Sequence, residues 1–185
     1  DFDDISFGEF SQTNEDGILL YIFSLIGCTN RICLDVVFEY PNGSNTANLI
    51  LNNNFNGLLI CSNDEKKNET DKFFKLNRTR LFPPLVCSKF VKRENINEIS
   101  SKIHDKFTVE NHEIDLLSLD LDGVDYWIWD ALEDIVPRVV VVEYHNVLGM
   151  ESVTIPYDEN FNRFNIHEDY FGASLPAFVK LARKK

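Results

Sequence analysis

The stretch LSLDLDGVDYWIWDA, Leu117–Ala131, decides the fold, because an apolar strand runs into three aspartates and then into an aromatic helix. Five of the eight residues from Ile114 to Leu121 are Ile or Leu, so the strand has almost no polar face and we expect it to be buried on both sides. Asp120 and Asp122 lie two apart and point the same way at its carboxyl end, the edge where open α/β sheets bind ligands. The stretch therefore predicts a buried parallel strand with a polar site at its end.

Two carboxylates on one side of a strand end repel each other unless a cation, a proton or a hydrogen-bond donor lies between them. An alternative role for Asp122 or Asp125 is to cap the helix that begins near Tyr126. Asp120 precedes the turn, and we expect it to belong to the strand itself. Asp120 is therefore the first candidate for a functional residue.

Composition predicts one α/β domain over residues 1–185, since 44% of the residues are hydrophobic and the length suits a single core. The formal charge is −12 and the isoelectric point is near 4.7, so repulsion would oppose binding to nucleic acid or to an anionic membrane. The sequence contains no transmembrane-length apolar stretch and no signal-like segment at its start. Partners of these two classes are therefore not expected.

The four cysteines show no paired or metal-finger spacing, and three of them, Cys33, Cys61 and Cys87, lie in apolar runs typical of buried strands. This pattern favours a reducing, cytoplasmic setting. Glycosylation sequons at Asn42 and Asn68, with a third at Asn77, leave secretion open.

Hydrophobic periodicity predicts strands that alternate with helices, which indicates a mostly parallel sheet with helices on both faces. Trp127 and Trp129 point about 200° apart on a helix, so they cannot form one stacking platform. We expect Phe73, Phe74 and Phe82 to cover the sheet. The predicted strands are 32–38, 57–61, 85–91, 114–121 and 138–143, and the predicted helices are 14–26, 45–51, one through Ile96, Ile99 and Ile103, 125–135 and 171–184, with 63–77 a loop or an exposed helix.

Six ordered blocks resemble a family of SAM-dependent methyltransferase-like proteins related to the FkbM methyltransferases. The blocks are SQTNEDGILLYIFSLIG, SNTANLILNNNFNGLLI, EIDLLSLDLDGVDYWIWDAL, RVVVVEYHNVLG, ESVTIPYDENF and YFGASLPAFVKLA. The resemblance implies a Rossmann-like methyltransferase domain with S-adenosylmethionine (SAM) across the carboxyl ends of the first two strands. It leaves the substrate unspecified.

The resemblance places Asp35, Glu39, Asn45 and Asp64 at the cofactor, but the cofactor loop departs from the family pattern. In the family the first strand ends in an acidic residue followed by a glycine-rich turn, and here the glycine positions hold Val37, Glu39 and Pro41. Such residues adopt glycine conformations only at a cost of about 1 kcal/mol or more each. Cys61 stands where the family has an acid for the ribose hydroxyls, with Asp64 as a substitute only after rearrangement. We therefore expect SAM to bind weakly or not at all.

Glu143 and His145, in the block EYHN after the fifth strand, are expected to face Asp120 and Asp122 at the end of the fourth. Asp120, Asp122 and Glu143 suit Mg²⁺, Mn²⁺ or Ca²⁺, and metal-dependent O-methyltransferases draw a substrate hydroxyl towards its alkoxide in a comparable way. The candidate catalytic residues are therefore Asp120, Glu143 and His145. The alternatives are a local ion pair for Glu143 and a loop histidine bonded to the backbone for His145.

Two functions remain open from the sequence. One is a methyltransferase that acts on a hydroxyl of a small molecule or glycan, and the other is a catalytically inactive descendant that binds a ligand or a protein. Methyltransferase sheets of this type normally add a hairpin of two strands beside the fifth, and we expect that hairpin to be absent. We therefore expect Ser152–Ile155, the amino-terminal segment or another subunit, as in a homo-oligomer, to cover the fifth strand.

Overall fold

A computed structural model describes residues 2–77, 83–165, 167 and 169–185. The core of the fold is a five-stranded, all-parallel sheet in the order β3-β2-β1-β4-β5. The strands are β1 (Ile32–Val36), β2 (Asn56–Cys61), β3 (Leu85–Ser88), β4 (Glu113–Leu119) and β5 (Val136–Val142). The helices are α1 (Glu15–Ile26), α2 (Ala47–Asn52), α3 (Asp64–Leu76), α4 (Ile96–Ser100), α5 (Lys102–Lys106), α6 (Asp125–Ala131) and α7 (Leu175–Ala182). The expected Rossmann-like α/β fold with helices on both faces is confirmed.

The sheet is buried on both faces because successive residues of its strands enter different hydrophobic clusters. In β4, for example, Leu116 packs with α1, α2 and α3, whereas Leu117 packs with α4, α5, α6 and α7. Both leucines are fully buried. A parallel sheet covered in this way favours apolar residues on both faces of each strand, which explains why its strands do not alternate between apolar and polar residues.

The helix bounds differ from the prediction where polar side chains interrupt the backbone pattern. The helix expected through Ile96 and Ile103 is split at Ser101 into α4 and α5. The helix expected to reach Ile135 ends at Ala131, because the Asn97 side chain donates to the Ala131 carbonyl and accepts from the backbone amides of Glu133 and Asp134. Residues 63–77 form helix α3, capped by the Asn63 side chain.

The amino end of the sheet is held by a buried ion pair. Asp115 of β4 is fully buried and accepts from the backbone amides of Thr29, Asn30 and Arg31, while Arg138 Nη1 of β5 donates to it at 2.7 Å. Burial alone would raise the pKa of Asp115, but these hydrogen bonds outweigh burial and lower it. The network ties the turn before β1 to β4 and β5.

The prediction that Ser152–Ile155 covers β5 is wrong. Thr154 instead forms an antiparallel bridge with Ala173, in the segment that leads into α7. On either side of the bridge, the Ser174 amide donates to the Val153 carbonyl and the Ile155 amide donates to the Gly172 carbonyl. Among the described residues, β5 lies at the edge of the sheet with β4 as its paired strand. The described amino-terminal residues form no strand pairing with β5 either, and whether another subunit covers this edge stays a prediction.

The aromatic residues lie as predicted where the structure describes them. Phe74 is buried against β2, Trp129 is buried and stacks on Phe178, and Trp127 is only partly buried. Phe82 and the end of the Asn77 sequon lie outside the described residues. None of the described helices has the length and apolar character that a membrane crossing requires.

Candidate functional site

A polar crevice lies at the carboxyl ends of β1 and β4. The chain builds β1, β2 and β3 in one direction across the sheet and then adds β4 and β5 on the other side of β1. The connection that follows β1 therefore runs towards β2, whereas the connection that follows β4 runs towards β5. Open α/β sheets bind ligands in the crevice between two connections that diverge in this way. Val37 follows β1 and Asp120 follows β4, so both residues lie at the mouth of the crevice.

Three carboxylates converge in this crevice. Asp120, Asp122 and Glu143 each place an oxygen within 4.8 Å of the others. Asp120 was expected inside the strand, which is wrong by one residue, because β4 ends at Leu119. Asp122 has a left-handed backbone, with φ +55°, which turns its side chain back towards Asp120. The expected approach of these three residues is therefore confirmed.

Arg163 lies beside the three carboxylates, in the segment that follows β5. Its Nη1 is 2.8 Å from Asp122 Oδ1 and 4.0 Å from Glu143 Oε2. The guanidinium also lies over the ring of Phe171, with its Cζ 4.8 Å from the ring centroid. Its Nε is buried and has no hydrogen-bond partner among the described residues. Arg163 therefore supplies a cation to the acidic cluster from within the chain.

Two carboxyl groups of the acidic cluster, those of Asp120 and Glu143, hold protons more tightly than isolated carboxylates would. Burial of its carboxyl group in the crevice and the nearby charge of Asp122 raise the pKa of Asp120, and Arg163 offsets part of this rise. For Glu143, burial and then the charges of Asp120 and Asp122 raise the pKa. A carboxylate with a raised pKa is a stronger base towards a hydroxyl group. Asp120 is therefore suited to accept a proton from a ligand in the crevice.

The turn after β4 is fixed by a carboxylate that does not cap the helix. Asp125 is almost fully buried and accepts from the backbone amides of Leu121 and Gly123, at 2.8 and 3.1 Å. Burial raises the pKa of Asp125 to about 6. Gly123 has φ +152°, and a Cβ there would lie 2.3 Å from the Phe161 ring, so the position accepts only glycine. The capping alternative is replaced by a role for Asp125 in holding the turn that presents Asp120 and Asp122.

The turn after β1 keeps one glycine-like conformation although it carries a valine. Val37 has φ +71°, a left-handed backbone that a β-branched residue adopts at a cost of about 1–3 kcal/mol. Strain of this kind persists where the surrounding structure fixes the backbone. The outlier agrees with the prediction that valine fits this turn poorly.

Three of the four expected cofactor residues line one cavity of about 220 Å³ beside this turn. Asp35, Glu39 and Asn45 lie in its wall, together with Asp120 and Asp122. Asp64 does not, because it begins α3 and binds the Ser88 hydroxyl at the end of β3. Asp64 therefore lies outside this cavity, and Cys61, which ends β2, is fully buried.

The Asp35 carboxylate is buried and is hydrogen-bonded to side chains of the same chain. Its Oδ2 accepts from the hydroxyls of Thr46, at 2.5 Å, and Ser44, at 3.2 Å. Burial raises the pKa of Asp35 to about 6, although these hydrogen bonds lower it in part. Asp35 therefore braces the loop between β1 and α2.

Two further cavities meet the first one at Asp120. One, of about 190 Å³, lies between the ends of β2, β3 and β4 and is bordered by Ser62, Phe90 and Leu121. It shares Val37, Asp120 and Asp122 with the first cavity. The other, of about 400 Å³, lies towards β5 and includes Asp120 and Glu143 in its wall. Asp120 is thus in contact with all three spaces.

His145 lies apart from the carboxylate cluster. It is buried, its Nε2 is 2.8 Å from the Asp169 carbonyl, and its ring stacks on Phe171 at 4.2 Å. This geometry agrees with the alternative of a loop histidine bonded to the backbone. His145 is therefore not a member of the carboxylate cluster.

Sequence patterns did not identify Arg163 or Phe90. Both lie in irregular segments, and neither has a spacing that ties it to β1 or β4. The remaining signal was the scarcity of basic residues in the chain, which has 18 Lys and Arg against 30 Asp and Glu. Arg163 follows the acidic end of the fifth strand and is therefore a candidate partner for a carboxylate, but the sequence does not show which carboxylate it contacts.

The donor set fits a divalent metal in chemistry and spacing. Three carboxylates offer the oxygen ligands that Mg²⁺, Mn²⁺ and Ca²⁺ prefer. Arg163 already lies against Asp122, so a metal would have to displace its guanidinium or share the cluster with it. Asp120 and Glu143 are the ligands that such a metal would reach most easily.

Comparison of the chain with protein-family models, with curated proteins and with solved structures found no match. The candidate site therefore rests on the geometry described above.

Proposed function

We propose that the protein is a methyltransferase-like enzyme that binds SAM in the crevice between β1 and β4 and presents a hydroxyl group of a small molecule or glycan to Asp120. The observation that carries the proposal is the meeting of three cavities at Asp120, at the switch point of the sheet. A methyl-transfer site needs space for the donor on one side of the reacting group and space for the acceptor on the other.

The donor would occupy the two smaller cavities. The cavity between the ends of β2, β3 and β4 has Phe90 and Leu121 in its wall, which suits a flat adenine ring. The cavity beside the β1 turn has polar side chains such as Asn45, which suits the methionine part. Val37 borders both cavities, so the cofactor would have to pass over its side chain.

The acceptor would occupy the larger cavity towards β5. Glu143 and Tyr144 border this cavity on one side, and Gln12 and Thr13 border it on the other. These side chains are hydrogen-bonding groups of the kind that recognise hydroxyls. The raised pKa of Asp120 lets it take the hydroxyl proton as the methyl group transfers. A divalent cation at Asp120 and Glu143, where one binds, would supply the further polarisation of that hydroxyl.

Calorimetry with SAM and with its demethylated product tests the proposal. We expect saturable binding with a dissociation constant of about 0.1–1 mM, because the missing ribose acid and the strained turn together cost several kcal/mol relative to a micromolar site. Asp120→Asn should change the affinity for SAM, whereas Asp130→Asn, on the outer side of α6 where it pairs with Lys184, should not. The absence of saturable binding up to about 10 mM would overturn the methyltransferase proposal.

One observation favours a second candidate, a catalytically inactive protein that binds its ligand without SAM. At the end of β2 the side chain of Cys61 turns inwards to Thr70, and Asp64 is engaged by Ser88. Neither Cys61 nor Asp64 borders the two cavities proposed for the cofactor. If SAM fails to bind while a divalent cation stabilises the protein through Asp120, the second candidate is the better description.

A further inference from the structure

A second cluster of metal-binding side chains lies at the opposite end of the sheet. His104, His112 and Asp134 each place one ligand atom within 4.8 Å of the others. His104 is in α5, His112 precedes β4, and Asp134 precedes β5. This is the amino end of the strands, so the cluster is separate from the crevice at their carboxyl ends.

We propose that His104, His112 and Asp134 form a binding site for Zn²⁺ or a similar transition-metal ion. Two imidazole nitrogens and one carboxylate are the ligand set that zinc, nickel and cobalt select, whereas Mg²⁺ and Ca²⁺ select oxygen ligands. The site therefore takes a different class of metal from the acidic cluster at Asp120.

The distances support coordination by these side chains. His104 Nε2 lies 3.3 Å from Asp134 Oδ2, and about 3.3 Å is the separation of two ligands on a tetrahedral zinc with bonds of about 2.0–2.1 Å. The rings of His104 and His112 are 4.8 Å apart at 73°, so neither ring stacks over the other and their nitrogens can converge. A small closing movement of His112 would complete the three-ligand set, with the fourth position left for water.

Supporting hydrogen bonds hold Asp134 in place. The Ser100 hydroxyl donates to Asp134 Oδ2 at 3.4 Å, and the Asn97 side chain accepts from the Asp134 amide at 3.1 Å. Partners of this kind orient the ligands of a metal site, and their loss weakens binding by about 10–100-fold. The carboxylate is thus positioned before any metal arrives.

The competing explanation is that both histidines serve only as hydrogen-bond donors. His104 Nε2 and His112 Nδ1 lie 3.1 and 2.9 Å from the same Asp134 carbonyl oxygen. In that arrangement each of these nitrogens carries a proton, while a metal requires their lone pairs. The two explanations differ in whether the cluster takes up a metal, so a binding measurement separates them.

His112 is held by an unusual backbone. Asn111 and His112 both have positive φ, +53° and +60°, in a short turn directly before β4. The left-handed backbone costs energy for a histidine and directs its ring towards His104 and Asp134.

Equilibrium dialysis and calorimetry with Zn²⁺ on the full chain, in excess Mg²⁺ to occupy the acidic cluster, test the proposal. We expect one Zn²⁺ per chain, and a loss of affinity of at least about tenfold in both His104→Ala and His112→Ala. His112 is solvent-exposed, so that variant should fold even if His104→Ala does not. Co²⁺ should give the visible absorption of a tetrahedral site in the wild type and lose it in His112→Ala.

His167→Ala is the matched control. The chain has four histidines, and His167 is an exposed one that lies outside the cluster. Its replacement should leave Zn²⁺ binding unchanged. The proposal is overturned if Zn²⁺ does not bind at about 0.1 mM, or if His104→Ala and His112→Ala bind it as the wild type does. These results do not depend on SAM, so they are separate from the test of the proposed function.

Discussion

At the residue scale, Val37 combines a strained backbone with a position at the mouth of the crevice. Of the seven non-glycine residues with positive φ in the described chain, Val37 is the β-branched one. It also borders both cavities that a cofactor would need. The same side chain therefore strains the turn and narrows the passage between the two spaces.

Val37→Gly should tighten SAM binding by about tenfold or more, because glycine adopts this backbone freely and opens the passage. The free energy of unfolding should change by less than about 1 kcal/mol, since relief of strain offsets the lost apolar contact. Calorimetry and urea unfolding give both values. Val36→Gly, at a fully buried position one residue earlier, should instead destabilise the protein by at least about 2 kcal/mol. Unchanged affinity in Val37→Gly would show that the side chain is no obstacle.

Arg163 decides how strongly the acidic cluster attracts a metal ion. Mg²⁺, Mn²⁺ or Ca²⁺ should raise the melting temperature, and Asp120→Asn should abolish that rise. Arg163→Gln should increase the effect of the metal, because its guanidinium lies 2.8 Å from Asp122 and competes with a cation. Thermal melts across a metal titration give the comparison. A smaller metal effect in Arg163→Gln than in the wild type would mean that the arginine positions the carboxylates for the ion.

Asp35 should make the protein less stable as the pH rises. Burial raises the pKa of Asp35 to about 6, whereas an unfolded aspartate ionises near pH ~3.9. Between these two pH values the folded state holds a proton on Asp35 that the unfolded chain has released. This proton stabilises the folded state by up to about 3 kcal/mol, and the stabilisation is complete below pH ~4 and is lost as the pH rises through about 6. Asp125 adds a change of the same sign.

Urea unfolding at pH 4.5, 5.5 and 6.5 measures this dependence. We expect Asp35→Asn to be less sensitive to pH than the wild type over this window but not insensitive, because Asp125, Asp120 and Glu143, whose pKa values are also raised, still contribute. Asp130→Asn should match the wild type. Equal pH dependence in Asp35→Asn and the wild type would show that Asp35 does not hold the proton.

At the scale of elements, the strands were predictable and the segments between them were not. Predominantly apolar runs such as Ile114–Leu119 are stable when buried in a sheet that is covered on both faces, and each predicted strand is present. The early end of α6 depends on Asn97, which is distant in the chain and reaches it only in the folded state. The convergence of Asp120 and Glu143 followed from strand order, whereas Arg163 reaches them from a segment without periodicity.

The open edge of β5 should cause the chain to associate. Val139, Val140 and their neighbours are partly exposed, and an apolar edge strand is a template for pairing. Sedimentation velocity over a range of concentrations should show a dimer or larger species, and Val140→Lys should shift it towards monomer. Val153→Lys, at an exposed valine away from the edge, is the control. A monomer at all concentrations with no aggregation would contradict the expectation.

At the scale of the whole molecule, the two ends of the sheet carry different chemistry. The carboxyl end gathers Asp120, Asp122 and Glu143 around an open crevice, and the amino end gathers the Asp115 ion pair and the histidine cluster. A formal charge of −12 will favour the approach of cations to both ends. The carboxyl end therefore carries the proposed SAM site, and the amino end carries the buried ion pair and the proposed zinc site.

The most direct test of the ligand site is to map SAM onto the protein by NMR. On titration with SAM, the backbone amides at 37–45, 89–91 and 120–124 should shift together and saturate, because these segments border the two smaller cavities. Amides at the opposite end of the sheet, including 29–31 and 134–136, should not move. Saturating shifts confined to another surface, or no shifts at about 10 mM SAM, would contradict the assignment of the crevice as a SAM site.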